Sequence, residues 1–99
     1  MRSAKTLLKM NDKVKQQLPN WFKGEVYELG DEVRNPFSGE TVLLDAAELS
    51  MYDFLKGAEH TLILMSEKGE SDDQLVKDFD KGRDWFRENN IEAYMTLLD

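Results

Sequence analysis

His60 is the only side chain here that titrates near neutrality without a special environment. A histidine base needs an orienting carboxylate and a pocket. Glu59 is its sequence neighbour, and adjacent residues on a helix do not face each other, so His60 reads as a surface histidine. With one histidine and no cysteine, the chain has no means to build a two-His zinc site, a thiolate centre or a disulfide. Ser38, Ser50, Ser66 and Ser71 lie in no nucleophile-elbow pattern, and the glycines are scattered singly rather than gathered into a phosphate-binding loop. Asp73, Asp80 and Asp84 share a helical face, with Asp78 beside them and Lys77, Lys81 and Arg83 interleaved. Such a pattern is ordinarily a solvated face of weak pairs. A calcium-loop reading starting at Asp78 fails, because Gly82 falls where a ligand is needed and no glutamate closes the loop. The expectation is therefore no catalytic, cofactor-binding or metal-ligating residue, and no enzyme.

Binding chemistry is better represented. Residues 1–23 hold six cations against Asp12 alone, a balance of +5, whereas residues 24–99 hold seven against nineteen acids, a balance of −12. An acidic body repels a phosphate backbone, which disfavours nucleic acid as the main ligand. Lys5, Lys9 and Lys13 recur every four residues, so a helix would carry them on one side. Phe37 sits inside a turn sequence, and Trp85 lies one step off an apolar helical stripe. These five residues are the candidate partner contacts.

The elements that position them follow from periodicity. Leu7, Met10, Val14 and Leu18 form a helical stripe over about residues 3–18, with a possible interruption at Asn11-Asp12 and a stop at Pro19. Trp21 and Phe22 then seal one end of the core. Val26–Leu29, Glu32–Arg34 and Thr41–Leu43 are β-compatible. Between the last two, Asn35-Pro36-Phe37-Ser38-Gly39 supplies a turn: Asn opens it, Pro presets φ and Gly takes the left-handed position. The spacing predicts a hairpin with Phe37 at its tip, and Gly30-Asp31 could turn the chain into a third short strand. Asp45 and Glu48 form a capping box ahead of a helix from Ala46 to about Met65, whose stripe is Ala47, Met51, Leu55, Ala58, Leu62 and Met65. Gly57, beside Ala58, would permit close approach of another helix. A second box, Ser71 with Gln74, starts a further helix with the stripe Leu75, Phe79, Gly82 and Phe86. Asn89-Asn90 breaks or recaps the chain before Ile91, Tyr94, Leu97 and Leu98 continue helically.

The fold expected is α+β and mainly helical: an N-terminal helix, one β-hairpin, then two to three packed helices, within a single compact domain over residues 1–99. Leu29–Val33 also suits the entry to a small SH3-like barrel, but residues 46–98 read as helix and leave no room for five strands. No apolar run approaches the roughly 18 residues of a membrane span, and the charged start does not read as a secretory signal. A cytoplasmic protein is expected.

Asn35-Pro36-Phe37-Ser38-Gly39-Glu40, Asp45 with Tyr52-Asp53, Trp85-Phe86-Arg87 and Ala93–Asp99 together resemble a group of short uncharacterised proteins encoded by tailed phages of marine bacteria, over about residues 5–99. The resemblance implies a viral origin and a host-cytoplasm setting, and brings no activity or site residue with it. The functional expectation is a small acidic, non-enzymatic protein-interaction module that binds a protein, or itself, through the hairpin tip or an aromatic patch. In one variant the acidic body mimics nucleic acid. The alternative is a nucleic-acid-associated accessory factor that uses the basic N-terminal helix. A carboxylate–metal hydrolase ranks last.

Overall fold

A computed structural model describes residues 13–98. Its order is a helical segment α1 at residues 13–17, strands β1 (Asp31–Arg34) and β2 (Thr41–Leu44), then helices α2 (Ala46–Glu67), α3 (Asp73–Asn89) and α4 (Ile91–Leu97). The mainly helical α+β reading holds. The stretch of the N-terminal helix before residue 13, including the question of continuity at Asn11, lies outside the described residues.

α2 starts where the capping box places it. The Asp45 carboxylate accepts from the Glu48 N–H at 2.8 Å, and the Glu48 carboxylate accepts from the Asp45 N–H at 2.9 Å. Ala47, Ser50, Met51, Leu55 and Ala58 are its buried face. At its far end Gly69 adopts φ 73°. The Gly69 N–H donates to Ser66 O at 3.0 Å and the Glu70 N–H to Met65 O at 2.8 Å, a Schellman closure that satisfies the last carbonyls. The α3 cap differs from the Ser71/Gln74 box. Asp72 is the N-cap, accepting from the Leu75 N–H at 3.0 Å, and Gln74 instead donates to Asp78 at 2.9 Å. A carboxylate at the positive end of a helix outcompetes a hydroxyl one residue earlier. Asn90 serves both α3 and α4. Its N–H donates to Phe86 O at 2.9 Å, and its side-chain oxygen accepts from the Ala93 N–H at 3.1 Å. Its amide nitrogen also reaches Glu48 at 3.1 Å, tying this junction to the start of α2.

α2 and α3 approach across Gly82, where a Cβ would stand 2.8 Å from Leu55 Cδ2 and 3.0 Å from Met51 Sδ. Gly57 does not have this role. It faces open space, with nothing within 4 Å of a Cβ built there. β1 and β2 pair antiparallel, with Val33 opposite Val42 and Arg34 opposite Thr41. Leu44 is fully buried and Leu43, on the other face, is exposed. Residues 26–29 form no third strand. Tyr27 is tied to α2 instead: its N–H donates to Ser50 Oγ at 2.9 Å and its hydroxyl to Asp53 at 2.9 Å. Ser50 in turn donates to Ala46 O at 2.7 Å, so this buried hydroxyl is satisfied both ways. Gly30 then passes so close to β2 that a Cβ would overlap the Leu44 carbonyl. The core is one cluster of Val14, Leu18, Leu44, Ala47, Met51, Leu55, Phe86 and Ala93. Trp21 and Phe22 cap it edge-on against Phe54, at 6.0 and 5.6 Å between ring centroids.

Candidate functional site

The hairpin turn is organised by Asn35. Its N–H donates to Glu40 O and its carbonyl accepts from the Gly39 N–H, both at 2.8 Å, leaving Pro36–Gly39 as a four-residue loop. Its side-chain oxygen accepts from the Phe37 N–H at 2.8 Å and the Ser38 N–H at 3.3 Å, an Asx turn. Its amide nitrogen donates to Thr96 O on α4 at 2.8 Å. Gly39 closes the loop at φ 77°, where a side chain would be strained. The outcome is a fixed backbone carrying an aromatic side chain outward: Phe37 is 97% exposed.

Behind the turn lies a cleft of about 450 Å³ whose walls include Arg34, Phe37, Tyr52, Lys56, Glu59 and Leu98. Three elements meet here. β1 contributes Arg34 from the end that enters the turn. α2 contributes Tyr52, Lys56 and Glu59, spaced four and three apart and so on one face. The chain at the end of α4 contributes Leu97 and Leu98. Tyr52 packs its ring at 6.4 Å from Phe86 in the core, which anchors that wall. The exposed Arg34 side chain runs alongside the turn, with Nη2 3.4 Å from where a Gly39 Cβ would stand. Lys56 Nζ lies 3.8 Å from Glu59 Oε1, both side chains about half exposed, so the pair is weakly held.

Of the sequence-derived contacts, Phe37 lines this cleft and Trp85 does not. Trp85 is half-buried on α3 and packs against the core. Lys13 is exposed on α1, and Lys5 and Lys9 lie outside the described residues. Arg34, Tyr52, Lys56, Glu59 and Leu98 were absent from the sequence-derived contacts. The Tyr52–Lys56–Glu59 spacing was legible as a helical face, but nothing in one dimension says that this face opposes the turn.

His60 is exposed, as are Asp73, Asp80 and Asp84, while Asp78 is buried against Gln74. Among the described residues no three His, Cys, Asp or Glu side chains converge to hold a metal ion. Among the described residues Tyr27 has a displaced titration: its hydrogen bond to the Asp53 carboxylate, with desolvation and the nearby negative charges of Asp53 and Glu25, pushes its phenol up to about 12. No described helix is long and apolar enough to cross a membrane. A separate cleft of about 340 Å³, lined in part by Lys15, Phe22 and Lys23, opens beside α1. No family model matches the chain, and neither the curated proteins nor the solved structures contain a match to it.

Proposed function

We propose that this chain is a small, non-enzymatic protein-interaction module that docks a partner protein through Phe37 and the cleft behind it. The observation that carries the reading is the pairing of near-complete exposure at Phe37 with five hydrogen bonds made by Asn35 around the turn and to α4. An aromatic anchor on a pre-ordered backbone loses little conformational freedom on binding, and such anchors dominate interface energetics. The setting that goes with this reading is cytoplasmic, and host-cytoplasmic if the resemblance to phage proteins reflects descent. Replacing Phe37 by the photoreactive analogue p-benzoylphenylalanine in cells of the source tests it. Irradiation should give a discrete protein adduct at position 37 and none from the same analogue at exposed Asp80. Equal labelling at both sites, or none at either, would remove the docking role.

The nucleic-acid reading has its own support in exposed Lys13 and Lys15 on α1 and in the lysine-lined cleft beside it. Its test is a salt series with a short duplex. Absence of binding at about 50 mM salt eliminates it, because counterion release makes phosphate contacts strongest there.

A further inference from the structure

The cleft behind Phe37 has a charge that sets it apart from the acidic body in which it lies. Residues 24–99 carry nineteen acids against seven cations, yet two of those cations, Arg34 and Lys56, line this one cleft. The ion pairs among the described residues are Lys56–Glu59 and Arg87–Asp84, and Arg34 is in neither. Its guanidinium lies alongside Gly39 of the turn on an exposed residue, and it brings a planar fork of donors to the cleft that Phe37 also lines. Lys56 faces the cleft from α2 and is committed only to a 3.8 Å pairing with half-exposed Glu59. Apolar surface lies next to both cations, in Phe37 at one side and Leu97 and Leu98 at the other.

Resting on the docking role above, we infer that the cleft accepts an acidic segment of a partner protein. A carboxylate of that segment sits between Arg34 and Lys56, and an adjoining apolar side chain lies against Phe37 and Leu98. Charge complementarity selects this occupant. An arginine–carboxylate contact is charge-assisted and geometrically specific, whereas a basic segment would meet two cations and, among the described residues lining the cleft, Glu59 alone in return. Glu59 acts as an internal competitor, holding Lys56 until a partner carboxylate replaces it.

The test uses ¹⁵N-labelled full chain and a degenerate hexapeptide library alternating Asp or Glu with Leu, Phe or Trp. A matched library carries Asn or Gln in place of the acids. The acidic library should shift the amides of Phe37, Tyr52 and Lys56 saturably, and the amide library should not. Arg34→Gln should weaken acidic binding about tenfold, the loss of one charge-assisted contact. Glu59→Gln should tighten it, an outcome that a merely structural role for these exposed side chains does not produce. Added salt should weaken it. Equal binding of both libraries, shifts confined to another surface, or no shift at all would overturn the acidic-partner inference. So would resonances that move only on dilution of the chain, since the occupant is then a second copy. If Phe37 still gives its protein adduct while acidic peptides fail, the docking role stands and the partner chemistry is wrong; if both fail, both fall.

Discussion

Replacing Asn35 is the sharpest probe of how the turn is held. Asn35→Ala removes three side-chain hydrogen bonds, two to exposed N–H groups of the turn and one, half-buried, to Thr96 O. The half-buried bond should contribute about 1 kcal/mol and each turn bond roughly half that, since water replaces an exposed partner readily. The sum of about 2 kcal/mol corresponds to a melting point lower by about 8–16 °C for a domain of this size. Asn35→Asp separates the contributions. It keeps the acceptor of the Asx turn but loses the donor to Thr96 and sets a carboxylate beside a carbonyl oxygen. Its loss should therefore come from the α4 tie. Thermal melting by circular dichroism, with Phe37→Ala as the control, reads both. Melting of both Asn35 variants within about 2 °C of the parent chain, a few tenths of a kcal/mol at most, would refute the keystone role. It would also take away the pre-ordering on which the Phe37 anchor rests.

Phe37→Ala itself should change stability by less than about 0.5 kcal/mol, because the ring packs on little, and urea denaturation checks it. Two glycine substitutions should have opposite signs. Gly57→Ala should stabilise by about 1 kcal/mol, since a methyl there meets open space in a helix interior. Gly30→Ala should destabilise by about 1–3 kcal/mol through overlap with the Leu44 backbone. The same melting series ranks them, and a destabilised Gly57→Ala would mean that this face is covered. The raised Tyr27 titration gives a pH dependence with a definite sign. The folded phenol binds its proton more tightly than the unfolded one, so its contribution is complete below pH 10 and fades as the pH rises to about 12. Asp53→Asn should return the phenolate absorbance transition toward 10, and an unmoved transition would deny the Asp53 hydrogen bond its role.

The site depends on polar ties between elements that are far apart in the chain. Asn35 connects the turn to α4, and Asn90 connects the α3–α4 junction to the capping box of α2. The three walls of the cleft, β1, α2 and the end of α4, are the elements these two asparagines join. A partner bound in the cleft would therefore contact a surface whose relative geometry is set by side-chain amides as well as by the apolar core.

Local rules determined a good share of this protein. The hairpin turn, the Asp45–Glu48 box and the core face of α2 as far as Ala58 arise from interactions within four or five residues, which spacing and residue type express directly, whereas α2 runs on to Glu67 and Leu62 and Met65 of the same stripe are only half-buried. Exposure at Phe37 and His60 follows from the same patterns. Tertiary packing decided what periodicity does not encode. Residues 26–29 have strand propensity, but they form no strand, and the Tyr27 N–H and hydroxyl find their partners, Ser50 and Asp53, on α2 instead. Gly82 stands on the apolar stripe of α3 and Gly57 beside that of α2; the crossing of the two helices presses Gly82, not Gly57, against Leu55 and Met51. The cleft is the clearest case. Arg34, Lys56 and Leu98 are each unremarkable along the chain, and they become neighbours because the core orients one helix face toward the back of a turn.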